Sequence, residues 1–174
     1  MAMAQLANLE AISKILAHPT WDLLLVFFFI AAGFFYGITS GKTKLIAVLF
    51  SIYISGLVFE NFSYLDFLTK GRTLIETFLV RGVAFTALIF LLTILFNKIL
   101  SRDSISGTRV WWQVFVLSFL EVGLLMSFIF QLLPAKEIFV FSPVVQNIFA
   151  SSRAFFWWLT LPLVALFFIA KKRS

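Results

Sequence analysis

Five long apolar stretches constrain this chain more than any other feature of its sequence. They are nearly free of charged residues, polar segments separate them, and they cover residues 26–38, 45–59, 78–96, 114–133 and 155–170. A bilayer core about 30 Å thick needs roughly 20 helical residues to cross it, and with its flanks each stretch approaches or reaches that length. The sequence therefore predicts an all-α, polytopic integral membrane protein with about five transmembrane helices.

The amino-acid composition also indicates that the chain resides in a lipid bilayer. Hydrophobic residues make up 61% of the chain, the mean hydropathy is +1.03 and phenylalanine supplies 24 of the 174 residues, whereas soluble domains are about 45–50% apolar. The net charge of +6 comes from basic residues scattered through short loops and the tail. That distribution suits topology control and anionic headgroups, so we expect membrane lipids, and no nucleic acid, as partners.

We expect a single membrane domain over residues 20–174, preceded by a short helix over residues 1–19. Leu6, Leu9 and Ile12 recur there at helical spacing, which is typical of an amphipathic helix lying in the membrane interface. The predicted spans of the membrane domain lie near residues 21–39, 44–60, 77–98, 111–133 and 154–170.

The distribution of basic residues predicts an orientation. With the amino terminus outside, the inner loops and tail carry eight Lys and Arg residues against five in the outer segments, Arg81 being set aside within a span. Because excess positive charge stays on the cytoplasmic side, we expect the amino terminus outside and the carboxyl terminus inside (N-out/C-in). The segment over residues 135–153 is too short and too broken to span the membrane, so we predict a re-entrant or interfacial hairpin there.

Small residues mark a face of close helix approach. Gly33, Gly37 and Gly41 recur every four residues in and after the first predicted span, and the second span carries Ser51 and Ser55. Small side chains at this spacing let helix backbones approach closely in a membrane. The pattern predicts either packing of the first span against the second within the chain or an interface with another protomer, and both remain open.

Glu121 lies near the middle of the fourth predicted span. A charged side chain there costs about 2.5–3.5 kcal/mol on insertion scales. In the predicted hairpin Arg81 lies about 13 Å away along the helix axis, nine residues at 1.5 Å each, beyond comfortable side-chain reach. We therefore expect the carboxyl to be held by hydroxyls such as those of Thr86, Thr93 or Ser118, or to face a wet cavity or a partner chain.

Gln113 and Gln131 lie on the same predicted helix as Glu121. At about 100° per residue the three side chains span an arc of some 80°, so one polar face of the helix can hold all three. With one histidine, no cysteine and none of the familiar hydrolase motifs, we predict no catalytic residue, no metal site, no cofactor and no enzymatic activity.

The order of these features resembles the colicin V production protein (CvpA-like) family. Asp22 precedes an apolar run that leads through Gly33 and Gly37 into a basic turn and a second apolar helix. Residues 96–100, 121–125 and the Ser142-Pro143 pair follow the family's order, so the resemblance covers roughly residues 20–150. The family's fourth helix is glycine-rich and follows an Asp-Arg pair. Here residues 109–112 read Arg-Val-Trp-Trp and only Gly123 remains.

This resemblance implies a small, non-enzymatic component of a bacterial inner membrane. Its expected role is that of a scaffold or accessory subunit in toxin or protein export, or in envelope homeostasis, working as a homo-oligomer or within a larger membrane complex. The alternative function is that of a small transporter, a channel-forming unit or a solute-uptake subunit, with Glu121 as an ion or proton contact.

Overall fold

The computed structural model describes residues 21–62, 64–100 and 111–171, and in these ranges all regular structure is helical. The helices are α1 (Trp21–Ser40), α2 (Lys42–Glu60), α3 (Tyr64–Thr69), α4 (Leu74–Leu100), α5 (Trp111–Leu132), α6 (Ala135–Ile138), α7 (Pro143–Val145) and α8 (Ser152–Lys171). A π-helical turn, Gln146–Ala150, follows α7. The amphipathic helix predicted for residues 1–19 lies outside the described residues.

Helices α1, α2, α4, α5 and α8 are each long and apolar enough to cross a membrane. The prediction of an all-α chain with five membrane helices is confirmed, and the protein is a polytopic helical membrane protein. The shortest of the five candidate spans has 18 residues and the longest has 27, close to the roughly 20 that the bilayer core requires.

Helix α5 is the centre of the bundle. In its apolar 18-residue stretch, 72% of the residues are buried, whereas 6% are buried in the corresponding stretches of α1 and α4. Helices α1, α2 and α8 pack against α5, and α4 packs mainly along α2. Consecutive spans run in opposite directions. The starts of α1, α4 and α8 therefore lie at the same end of the bundle as the ends of α2 and α5, here named the first end.

Local sequence explains where the helices begin and end. Gly41 alone separates α1 from α2 and has φ +85°, a left-handed conformation that glycine adopts without steric cost. Ahead of α4, the backbone N–H of Thr73 donates to the Glu76 carboxylate and the N–H of Glu76 donates to the Thr73 hydroxyl. This reciprocal pair is a capping box, which satisfies free N–H groups in the first turn of the helix.

The segment between α5 and α8 folds across the first end. The ring of Phe139 lies 5.6 Å from that of Phe78 at the start of α4 and 6.2 Å from that of Trp21 at the start of α1. Phe141 packs edge-on against Phe130 of α5 at 4.7 Å. These aromatic contacts join the first end of three spans, so the segment is part of the packed structure.

A side-chain hydrogen bond links α2 to α8. The hydroxyl of Tyr53 donates to the carbonyl oxygen of Leu159, three residues before Pro162 inside α8. Proline cannot donate a backbone hydrogen bond and disturbs the preceding turn of a helix. The tyrosine therefore binds a carbonyl in the turn that Pro162 weakens.

Removing this hydroxyl is expected to lower stability modestly. Tyr53→Phe keeps the ring and deletes the donor, which should destabilise the fold by about 0.5–1.5 kcal/mol. Equilibrium unfolding in detergent micelles titrated with SDS measures the difference. Tyr64→Phe is the matched control, because the Tyr64 side chain is exposed on α3; equal stabilities for the two variants would contradict the assigned role of the Tyr53 hydroxyl.

Candidate functional site

A groove of about 1020 Å³ lies between α1 and α4. Side chains of α1 and α4 form its two walls, and side chains of α2 and α5 form its floor. On α4 the groove runs from Phe78 to Phe90, a length of about 18 Å at 1.5 Å per residue. It exists because α1 packs on α5 while α4 packs on α2, so the two outer helices stay apart.

The floor of the groove is buried and its rim is exposed. On the floor, Leu45 and Ile52 of α2 are each only 1% exposed. On the α4 rim, Val83 is 68% exposed and Phe90 is 67% exposed. All of these residues belong to helices that can span the membrane, so the groove opens sideways at the depth of the lipid tails.

Glu121 is the one carboxyl group among the side chains that line the groove. It lies halfway along α5 and is 8% exposed. Within the described residues its carboxyl makes no hydrogen bond or ion pair. The other polar side chains of the lining are Thr86 on α4 and Tyr36 on α1. An apolar cleft with a few polar groups is the usual form of a site for a small apolar ligand.

The three polar residues predicted to share one face of α5 point to different places. The amide oxygen of Gln113 accepts a hydrogen bond of 3.0 Å from the Lys42 side chain at the start of α2. The amide nitrogen of Gln131 donates, at 3.5 Å, to the carbonyl oxygen of Ala150. Of the three, Glu121 alone lines the groove, so the structure does not gather them into one polar path.

Gly33 and Gly37 face α5. A Cβ atom added to Gly33 would lie 3.2 Å from a methyl group of Val122, and one added to Gly37 would lie 2.6 Å from a methyl group of Val114. The Ser118 hydroxyl donates a 3.1 Å hydrogen bond to the carbonyl oxygen of Gly33, a bond that this close approach allows. The two glycines therefore serve contacts within the chain, and their main neighbour is α5, not Ser51 and Ser55 of α2 as the pattern of the first two spans predicted.

The remaining predicted site residues lie elsewhere. Gly41 forms the turn after α1, and a Cβ atom added to it would meet no described atom within 4 Å. Ser51 and Ser55 are fully buried on α2, and the Ser51 hydroxyl donates to the carbonyl oxygen of Ala47 in its own helix. Arg81 is half-buried on α4 and is not part of the groove lining.

Two structural residues carried little signal in the sequence. Asp22 is only 2% exposed, and its carboxylate accepts a hydrogen bond of 2.6 Å from the backbone N–H of Ser142. Gly123 receives the indole ring of Trp158 from α8. A helix-start aspartate and an isolated glycine suggest a cap and a flexible point, and neither pattern identifies a distant partner.

The described residues contain no group of three or more His, Asp or Glu side chains that could hold a metal ion. Comparison of the chain with protein-family models, with curated proteins and with solved structures finds no match. The candidate site therefore stands on its own geometry: a lipid-facing apolar groove with one buried carboxyl group.

Proposed function

We propose that the protein is a non-enzymatic membrane scaffold or accessory subunit of the CvpA-like type, associated with export or envelope homeostasis in a bacterial cytoplasmic membrane. The observation that carries this proposal is the use made of polar groups inside the bundle. Gln113, Gln131 and Ser118 each bond to another part of the chain, which supports a role in holding neighbouring elements in place over a role as groups of one path for an ion or solute.

The exposed face of α4 supports an accessory role. This 27-residue helix is the longest candidate span, and only 6% of its apolar 18-residue stretch is buried. Leu91 is 61% exposed and lies outside the groove. Such a surface is available to membrane lipids and to the helices of a partner subunit or a second copy.

The mass of the purified particle tests the proposal. Extracted in a mild detergent, the 19.8 kDa chain is expected to elute as a stoichiometric oligomer or complex, as measured by light scattering with the detergent contribution subtracted. A photo-crosslinking residue at Leu91 should then link to the neighbouring chain, and the same residue at Leu124, which is fully buried, is the matched control. A monomer alone in the micelle would contradict the scaffold.

A second candidate is the small transporter or channel-forming subunit. The position of Glu121 in the groove favours it, since carboxyl groups within spans commonly mark ion and proton pathways. In proteoliposomes, Glu121→Gln should abolish ion or solute flux if this function is correct. It should leave the mass of the complex unchanged if the protein is a scaffold.

A further inference from the structure

We propose that the groove between α1 and α4 is a binding site for a neutral lipid that carries a free hydroxyl group, with the hydroxyl on Glu121 and the apolar chain along α4. The observation behind this is a buried carboxyl group, without a hydrogen-bonding partner in the described part of the chain, at the floor of a cleft that opens to the bilayer. The inference does not rest on the proposed scaffold function.

The shape of the groove fits a narrow, elongated apolar molecule. Its volume of about 1020 Å³ is at the upper end of the roughly 300–1,000 Å³ found for small-ligand pockets. Gly82 places no side chain on the α4 wall of the groove, and the space beside it is open. A Cβ atom added there would meet only a methyl group of Leu133, at 3.9 Å. The length of the groove, about 18 Å along α4, and its volume are sufficient for one extended acyl or isoprenoid chain.

The carboxyl group selects the polar end of the ligand. A buried polar group without a partner costs free energy, and a ligand that supplies the missing hydrogen bond regains it. A hydroxyl group both donates and accepts hydrogen bonds, so it pairs with a carboxyl group whether that group is ionised or protonated. Thr86 lines the same groove and offers a second hydroxyl.

Depth favours a hydroxyl over an ammonium or phosphate group. Glu121 lies at the middle of α5, where the bilayer is most apolar and a charged headgroup would have to leave the interface to reach it. Bringing a neutral hydroxyl group to this depth costs far less free energy than bringing a charged group, and the lipid can enter sideways past the exposed rim at Val83 and Phe90.

Photolabelling in vesicles tests the site. The probe is a long-chain primary alcohol with a diazirine in the chain and a terminal alkyne, and its methyl ether is the matched control probe that cannot donate a hydrogen bond. The alcohol should label groove residues of α4 and α5, mapped by mass spectrometry, about three- to tenfold more strongly than the ether, the ratio expected for one intramembrane hydrogen bond.

Three variants distinguish the contribution of the carboxyl group to labelling from the contribution of the groove itself. Glu121→Leu should lower alcohol labelling to the level of the ether, and Gly82→Leu should lower the labelling by both probes by filling the groove while leaving Glu121 in place. Phe167→Leu changes an exposed side chain of α8 outside the groove and should have no effect. Monodisperse elution in detergent establishes that each variant is folded, and Gly82→Leu keeps the test open if Glu121→Leu does not fold.

Other labelling patterns overturn the proposal. Equal labelling by alcohol and ether, unchanged in Glu121→Leu, would mean that the carboxyl group does not bind a hydroxyl. Labelling spread evenly over all lipid-facing helices would indicate bulk lipid only. If a crosslinker at Phe90 captured a polypeptide and the alcohol did not compete, a partner helix would occupy the groove.

Discussion

Replacing Gly123 with alanine is expected to destabilise the folded protein by about 1–3 kcal/mol, the usual cost of overpacking a filled core. The added methyl group would overlap the six-membered ring of the Trp158 indole. That ring cannot move aside cheaply. Its N–H donates a 2.8 Å hydrogen bond to the carbonyl oxygen of Ile148, and its face stacks on Phe149 at 5.4 Å.

Unfolding of detergent-solubilised protein, followed by circular dichroism during an SDS titration, measures the loss. Gly82→Ala is the matched control, since its methyl group meets only ordinary van der Waals contact and alanine is the better helix former by about 1 kcal/mol, so this change should not destabilise the fold. A second substitution, Trp158→Leu, makes room for the new methyl group, so the two changes should be less damaging together than their sum. If Gly123→Ala were as stable as the wild-type protein, the close packing of the Trp158 indole on Gly123 would be refuted.

The helices of this protein could be predicted from local sequence because length and hydropathy act over single segments. Five apolar stretches of sufficient length leave few alternatives in a bilayer, where backbone polar groups must be satisfied within the helix. The cap at Thr73 and Glu76 and the turn at Gly41 are likewise local. Each depends on residues close together in the chain.

The candidate site could be predicted only in part because it depends on which helices become neighbours. The spacing of Gly33 and Gly37 indicates a face of close approach, but periodicity does not specify whether that face meets α2 or α5. Glu121 stood out as a carboxyl group within a span. The groove beside it arises from the separation of α1 and α4, which no single segment encodes.

Removing the Asp22 carboxylate is expected to release the segment that closes the first end of the bundle. The two oxygens accept hydrogen bonds from the backbone N–H groups of Ser142, at 2.6 Å, and Leu23, at 3.0 Å. Hydrogen bonds to a charged group contribute about 1.5–3 kcal/mol each, and Asp22→Ala would also leave the partly buried Ser142 N–H without this acceptor. The carboxylate further complements the positive end of the α1 dipole.

Hydrogen exchange of the backbone amides, measured in detergent, shows which part of the protein loses stability in Asp22→Ala. In Asp22→Ala the backbone amides of residues 139–150 should exchange about 10- to 100-fold faster, because a local opening that becomes less costly by about 1.4 kcal/mol is populated tenfold more. Amides in the middle of α5, which pack away from Asp22, should change far less. Asp22→Asn retains one acceptor oxygen and should lie between the two. Unchanged exchange over residues 139–150 would mean that the aromatic contacts of Phe139 and Phe141 hold the segment without the carboxylate.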